Sequence, residues 1–259
     1  MTRRLSLYQA LDPQMVLRAY AMGVFPMADH RDAPGVYWVE PKLRGVMPLD
    51  DFRLSRSLRK TVARDRFRVT ADRAFDAILA LCAESAGDRP ETWINPPIAH
   101  VFAELHEAGF AHSIECWDGD RLVGGLYGLA LGRAFFGESM VSRATDASKV
   151  AMAWLVARLR FGGFTLLDCQ FQTDHLRSLG AIEIRRDAYM ALLGSALGAS
   201  SAGLATGSPE VTGAFGALDS LRLRGREAAD APLPSPLSSD TVAEPVSGRD
   251  IVQLLGQTS

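Results

Sequence analysis

Apolar and polar residues follow two different periods along the chain, and the changes of period predict an order of elements. Apolar residues recur every three or four positions, as in helices, at 13–24, 55–62, 73–85, 96–109 and 146–160. Strand patterns of two-residue alternation or short apolar runs lie at 36–39, 68–70, 111–117, 122–131, 134–140, 164–171 and 182–184. A short helix is predicted from Thr173 to Gly180. This order predicts an α+β fold with one mixed sheet and helices packed on it.

Changes in pattern divide the chain into three parts. Residues 1–53 are predicted to form a small N-terminal domain, with Asp12 and Pro13 starting a helix that ends before a turn-rich segment. Residues 54–194 carry the strands of the main sheet. Residues 195–259 are predicted to be a disordered tail, because 31 of the 54 residues from 195 to 248 are Ala, Gly, Ser or Pro.

The amino-acid composition indicates the general class of protein. The chain has 259 residues, of which 47% are hydrophobic and 22% charged, with a net charge of -2, which is typical of a soluble globular protein. The N-terminus has no signal-peptide pattern, and no apolar run reaches the ~18 residues of a membrane span. Three cysteines without a C-x-x-C pair favour a reducing compartment, so a cytoplasmic location is expected.

The charge is unevenly distributed along the chain. Residues 42–68 contain nine basic and three acidic residues, a local charge of +6 in a chain whose net charge is -2. A basic segment of this kind is either a phosphate-binding surface or a solvated helix face. The pattern alone leaves both interpretations open.

Polar side chains interrupt two strands that are otherwise apolar. Asp168 and Gln170 are two positions apart in L-L-D-C-Q-F, so strand geometry predicts that they share a face. Glu138 ends the apolar run A-F-F-G. A buried carboxylate is costly unless it is paired, so such groups either complete a structural network or line a site. Three of them at strand ends in one sheet favour a site.

Other chemistries find little support. The five histidines lack the spacing of a metal site, so no metal is predicted. The glycine-rich segment 124–128 lies inside a strand, which favours close backbone approach over phosphate binding. Ser139 is not part of a nucleophile elbow.

Irregular motifs spread over residues 20–189 resemble those of the leucyl/phenylalanyl-tRNA protein transferase family. The motifs that carry this resemblance include G-V-F-P-M at 23–27, L-S-R-S-L at 54–58, T-W-I at 92–94, H-E-A-G-F-A-H-S-I-E-C-W at 106–117, L-V-G-G-L-Y-G at 122–128, F-G-E-S-M at 136–140, L-D-C-Q at 167–170 and H-L-R-S-L-G-A at 175–181.

The resemblance implies an enzyme that moves Leu or Phe, and less readily Met, from charged tRNA to proteins beginning with Arg or Lys. The new N-terminal residue would create an N-degron. The implied fold is a small N-terminal domain followed by an acetyltransferase-like (GNAT-type) domain. No cofactor is implied, coenzyme A included.

The resemblance also implies roles for individual residues. Asp168 and Gln170 match a proposed proton-relay pair, with Asp168 as base or orienter, and Glu138 matches a residue that holds the cationic acceptor. The implied substrate-binding residues are Trp93, Leu126, Phe135 and, as an adenine-stacking or pocket residue, Trp38. The implied phosphate contacts to tRNA are Arg44, Arg56, Arg59 and Lys60.

Two other functions fit the same patterns. One is an aminoacyl-tRNA-dependent ligase that acts on a peptidoglycan precursor, and the other is a non-catalytic protein that binds charged tRNA. The chain is expected to be a monomer, because no heptad pattern or self-pairing edge stands out.

Overall fold

A computed structural model of the chain describes residues 10–84, 92–198, 213–220 and 246–256. Its helices are α1 (Pro13–Ala21), α2 (Arg56–Ala63), α3 (Phe75–Ala83), α4 (Pro96–Glu107), α5 (Ala147–Phe161), α6 (Asp174–Ser178), α7 (Arg186–Ala196) and α8 (Gly248–Gly256), with a 3₁₀ helix at Phe215–Ser220. Its strands are β1 (Phe25–Met27), β2 (Tyr37–Val39), β3 (Leu43–Val46), β4 (Arg68–Ala71), β5 (Ala111–Asp118), β6 (Arg121–Leu131), β7 (Ala134–Ser142), β8 (Leu166–Gln170) and β9 (Ile182–Arg185).

Seven strands form one mixed sheet in the order β4-β5-β6-β7-β8-β3-β9. Strands β7 and β8 run parallel, because helix α5 connects them across one face of the sheet. The other neighbouring pairs are antiparallel. The predicted α+β fold with a mixed sheet is confirmed, while the acetyltransferase-like assignment stays a prediction.

The N-terminal segment begins as the sequence predicts. The Asp12 side chain accepts hydrogen bonds from the backbone N–H groups of Gln14 and Met15, at 2.7 and 3.1 Å, and so caps α1. Strands β1 and β2 form a separate hairpin. Strand β3, however, lies within the main sheet between β8 and β9, so this part of the predicted domain 1–53 contributes to the main sheet. The division at residue 53 stays a prediction.

Helices cover both faces of the sheet. Residues of α1, α3, α4 and α7 form one core cluster, and residues of α2, α5 and α8 form another. Helix α7 was not among the predicted elements. The predicted role of the glycines in β6 is confirmed at Gly125, where a Cβ atom would lie 2.3 Å from the carbonyl oxygen of Ile114 on β5.

Two segments of the predicted disordered tail pack on the second cluster. Phe215 and Leu218 of the 3₁₀ helix and Ile251 and Leu255 of α8 are buried there. Their few apolar side chains cover α5 and α2, which explains why a segment poor in apolar residues still has defined positions. Residues 199–212, 221–245 and 257–259, which the same prediction included, lie outside the described residues.

We expect α8 to be part of the cooperatively folded unit. Ile251→Ala should lower the free energy of unfolding by about 2–5 kcal/mol, because Ile251 is fully buried and its truncation leaves a cavity. Urea unfolding followed by circular dichroism measures the change. Gln253→Ala on the exposed side of α8 is the control and should have little effect. An equally small effect of Ile251→Ala would show that α8 does not contribute to the core.

Candidate active site

Strands β7 and β8 diverge after a short parallel contact, and a cavity opens between them. The pairing between them ends where Phe136 lies opposite Asp168. The cavity has a volume of about 800 Å³. Both diverging strand ends line it, together with residues of β1, β6, α5 and α6 and Trp93.

Each diverging strand carries a β-bulge at the cavity. Between β6 and β7 the register passes from Gly128↔Gly137 to Tyr127↔Ser139, so Glu138 is an extra residue on β7. Between β3 and β8 the register passes from Val46↔Asp168 to Gly45↔Gln170, so Cys169 is an extra residue on β8. Bulges redirect side chains, and both extra residues line the cavity.

Asp168 is sealed inside the protein beside this cavity. The residue is 0% exposed, and its Oδ1 atom accepts hydrogen bonds from Arg44 Nε at 2.9 Å and from the backbone N–H of Gln170 at 2.8 Å. Its Oδ2 atom accepts from Arg44 Nη2 at 2.6 Å and from the Tyr189 hydroxyl at 2.8 Å. Both carboxylate oxygens are therefore fully engaged by the protein itself.

Arg44 has a different place from the one predicted. It is 1% exposed, and its guanidinium group lies between the rings of Phe25 and Tyr189, 4.7 and 4.6 Å from their centroids. Its Nη1 atom also donates to the carbonyl oxygen of Gly23 at 3.1 Å. The predicted contact between Arg44 and tRNA phosphate is inconsistent with this position, because β3 lies beside β8 in the sheet and the Arg44 side chain is buried in an ion pair with Asp168.

Gln170 is turned toward Glu138 by an unusual backbone conformation. Its φ angle is 54°, in the left-handed region that non-glycine residues rarely occupy. The hydrogen bond from its N–H to the Asp168 side chain, two residues earlier, stabilises this turn. The Gln170 side-chain amide then donates from Nε2 to Glu138 Oε1 at 2.9 Å. Asp168 thus positions Gln170, and Gln170 positions Glu138.

Glu138 has a strongly altered proton affinity. Burial raises the pKa of its carboxyl group to about 8, and nearby Asp168 adds to the increase. The Tyr20 hydroxyl, Arg44 and the Gln170 amide act in the opposite direction. In contrast to Asp168, Glu138 is only half-buried and lines the open cavity.

Two of the four predicted substrate-binding residues line the cavity, and the other two do not. Trp93 and Leu126 line the cavity. Phe135 is 0% exposed and packs against Phe164 and Phe215 in the core, away from the cavity lining. Trp38 is 37% exposed on the β1–β2 hairpin and does not line the cavity either.

Several apolar lining residues were missed by the sequence analysis. They are Phe25, Met27, Met140, Met152, Leu155 and Leu167. They come from β1, β7, α5 and β8, and their side chains would have been assigned to the core from periodicity alone. No local sequence signal distinguishes them, because apolar residues that line a pocket and apolar residues of a core have the same spacing.

The remaining predicted basic residues lie on the surface of α2. Arg56, Arg59 and Lys60 are exposed, whereas Leu58 and Val62 on the opposite side of the helix are buried. Ser55 caps this helix by accepting a hydrogen bond from the Leu58 N–H at 3.2 Å. The inner face of α2 packs on α5, so these basic side chains project from the protein.

The Cys169 thiol and the His175 imidazole, which also line the cavity, are less suited to a catalytic role than Glu138. The Cys169 thiol has its pKa raised by burial and by Asp168, so it stays protonated. His175 lines the cavity, but its Nε2 atom is buried and has no hydrogen-bond partner among the described residues.

Within the described part of the chain, no group of three or more His, Cys, Asp or Glu side chains could hold a metal ion. Nor is any described helix long and apolar enough to span a membrane.

Comparison with known proteins assigns the chain to a family. Residues 46–194 match the family model of the leucyl/phenylalanyl-tRNA protein transferases, and residues 9–42 match the model of their N-terminal domain. The chain belongs to the leucyl/phenylalanyl-tRNA protein transferase family. The two matches meet at β3, the strand that carries Arg44.

Individual relatives of this family agree over most of the chain. A leucyl/phenylalanyl-tRNA–protein transferase of Rhizorhabdus wittichii is 61% identical over 254 residues, which cover 97% of this chain and 100% of that protein. One of Zymomonas mobilis is 52% identical, covering 96% of this chain and 98% of that protein. One of Paramagnetospirillum magneticum is 57% identical over 72% of this chain and 90% of that protein.

The buried ion pair of this family member makes a clear prediction for stability. Asp168→Asn should lower the free energy of unfolding by about 3–5 kcal/mol, because it leaves the Arg44 charge buried without its partner. Urea unfolding measures the loss. Asp174→Asn is the matched control, since its side chain is 95% exposed and pairs only at the surface. A loss as small as that of the control would contradict the structural role of the pair.

Proposed function

We propose that this chain transfers Leu or Phe, and less readily Met, from charged tRNA to the α-amino group of proteins that begin with Arg or Lys. The product would carry a new N-terminal residue that marks it for degradation. The observation that carries this proposal is a cavity with an apolar wall and, at the divergence of β7 and β8, the hydrogen-bonded pair Glu138 and Gln170. The family membership supports the same reaction.

The apolar wall suits the side chain of the transferred amino acid. Trp93 and Leu126 contribute to it, together with the flexible side chains of Met140 and Met152. An apolar pocket discriminates by only about 1–3 kcal/mol per methylene group, so one pocket can accept Leu, Phe and Met. Methionine side chains adapt to ligands of different shape, which supports this breadth.

The reaction is the attack of an amine on an aminoacyl ester. The ester is already activated, so holding the two reactants in the correct geometry supplies a large part of the catalysis. Asp168 fits an orienting role, because both of its oxygens are occupied by Arg44, Tyr189 and the Gln170 N–H. The Gln170 amide is the part of this network that reaches the cavity.

The acceptor is cationic, and Glu138 provides a matching charge. Among the described residues that line the cavity, Glu138 is the carboxylate. Binding of an ammonium group beside it would favour its ionised form, in spite of the burial that raises its pKa to about 8. We therefore assign Glu138 to the acceptor N-terminus.

The basic surface of α2 supports the tRNA part of the proposal. Arg56, Arg59 and Lys60 are exposed and are available to the phosphates of an acceptor arm. Helix α2 packs on α5, and residues of α5 also line the cavity, so one helix supports both regions. A monomer in the cytoplasm fits this function, and the buried thiols of Cys82, Cys116 and Cys169, which are not in disulfides, suit a reducing compartment.

The proposed activity can be tested directly. Radiolabelled Leu on its tRNA is offered with two peptides that differ only in their first residue, Arg or Ala. We expect label in the Arg peptide alone, because the proposed acceptors begin with Arg or Lys. Binding of the charged tRNA without transfer to either peptide would favour a binding protein or a ligase with another acceptor.

The tRNA surface can be tested through its salt dependence. Replacing Arg56, Arg59 and Lys60 by Ala should weaken tRNA binding and reduce the slope of log K against log salt by about 1 per lost phosphate contact. Filter binding over a range of salt concentrations measures this slope. The control replaces three exposed arginines elsewhere, Arg18, Arg121 and Arg185, by Ala, so the net charge changes equally. Equal slopes in both variants would place the tRNA on another surface.

A further inference from the structure

The two carboxylates of the site differ in their access to a substrate. Asp168 is fully buried and absent from the cavity lining, and a substrate proton could reach it only after its hydrogen bonds to Arg44, Tyr189 or the Gln170 N–H were broken. Glu138 stands on the opposite wall, where the bulge in β7 turns it into the open volume. The Gln170 amide donates a hydrogen bond to its Oε1 atom, and the Tyr20 hydroxyl also acts on the carboxyl group.

Two neighbouring groups are poor alternatives as proton acceptors. The Cys169 thiol has its pKa raised by burial, and its thiolate would be disfavoured beside Asp168. His175 has a lowered pKa, mainly because of burial, and its Nε2 atom is enclosed by protein and does not face the open volume. Among the described cavity residues, Glu138 is thus the carboxylate that lines the open volume, where an acceptor would have access to it.

We infer that Glu138, and not Asp168, accepts the proton that the α-ammonium group of the acceptor must lose before its nitrogen attacks the aminoacyl ester. This role rests on the proposed function and makes it more specific. Asp168 then acts as a positioning residue, which holds Gln170 and, through it, the Glu138 carboxylate.

The step conserves atoms and charge. The ammonium group gives one proton to the Glu138 carboxylate, and the resulting amine forms a C–N bond with the ester carbon. The C–O bond to the ribose of the terminal adenosine then breaks, and the second proton of the nitrogen passes to the departing ribose oxygen. Glu138 loses this proton to water when the next ammonium group binds beside it, because that charge favours the ionised form. No oxidant, metal or additional reactant is needed.

The surroundings of Glu138 match its proton affinity to that of its partner. An α-ammonium group has a pKa of about 7.7–8.0. Burial raises the pKa of Glu138 to about 8, and Tyr20, Asp168, Arg44 and Gln170 are the polar groups that further adjust it. A carboxylate with a raised pKa is a stronger base than an ordinary one, which favours proton transfer from an ammonium group near neutral pH.

Glu138→Gln is the variant that tests this role. Gln keeps the size of Glu138 and can still accept the hydrogen bond from Gln170, and it resembles the protonated carboxyl group that predominates at pH 7 in the empty site. The full-length variant should therefore fold, which thermal unfolding checks. Single turnovers with Leu-tRNA and saturating Arg-first peptide should be slower by about 10²- to 10⁴-fold, and the peptide concentration that gives half the maximal rate should also rise, because the ammonium group loses the carboxylate that binds it.

A second acceptor separates proton transfer from a structural effect. In this peptide an aminooxy group replaces the α-amino group of the first residue, and it is neutral at pH 7 because the adjacent oxygen lowers its basicity. It carries no ammonium proton, so Glu138→Gln should slow its transfer far less. Glu138→Asp should retain part of the rate with the ordinary peptide. Glu104→Gln on the exposed side of α4 is the control and should leave the rate unchanged.

The outcomes distinguish the possible roles. A higher half-saturating peptide concentration with an unchanged maximal rate would overturn the inference and leave Glu138 as a binding residue only. Equal losses with the two acceptors would show that Glu138 shapes the site without accepting the proton. Failure of the wild-type chain to use the Arg-first peptide at all would instead contradict the proposed function, and this role with it.

Discussion

The buried ion pair between Arg44 and Asp168 is the interaction on which the site depends. Placing two charges in the interior is costly, and it is tolerated only when the geometry and the remaining hydrogen bonds are nearly complete. Here Gly23, Tyr189 and the Gln170 N–H supply those bonds. The N-terminal segment, α7 and the end of β8 must therefore be in place together.

The same pair explains how two nearby carboxylates acquire different properties. Asp168 is surrounded by donors that hold it as a partner of Arg44, whereas burial raises the pKa of Glu138 to about 8 in spite of Tyr20, Arg44 and Gln170. When different surroundings give two carboxyl groups different pKa values, one of them can orient other groups while the other accepts a proton. Gln170 connects the two carboxyl groups, because its backbone N–H donates a hydrogen bond to Asp168 and its side-chain amide donates one to Glu138.

Local signals in the sequence predicted helices α1 to α6 and strands β2 and β4 to β9, because cap residues and alternation act over a few positions, but they did not predict β1, β3 or α7. Asp12 caps α1 as expected, and Glu138 and Gln170, two of the three polar residues at apolar strand ends, line one cavity. The place of Arg44 could not be predicted in this way. In the sequence, Arg44 is one of the basic residues of the segment 42–68. Its side chain is buried against Asp168, 124 residues later in the chain, only because β3 lies beside β8 in the sheet.

The bulge in β7 explains why the pocket residues were also beyond prediction. In an unbroken strand, Phe135 and Val141 would share a face because they are six positions apart. The extra residue Glu138 reverses the alternation, so Phe135 and Met140 pack with the α5 cluster while Phe136 and Val141 belong to the other one. All of these side chains are apolar, so either register satisfies the pattern. The polar residue that breaks the register is also the one that the bulge turns toward the cavity.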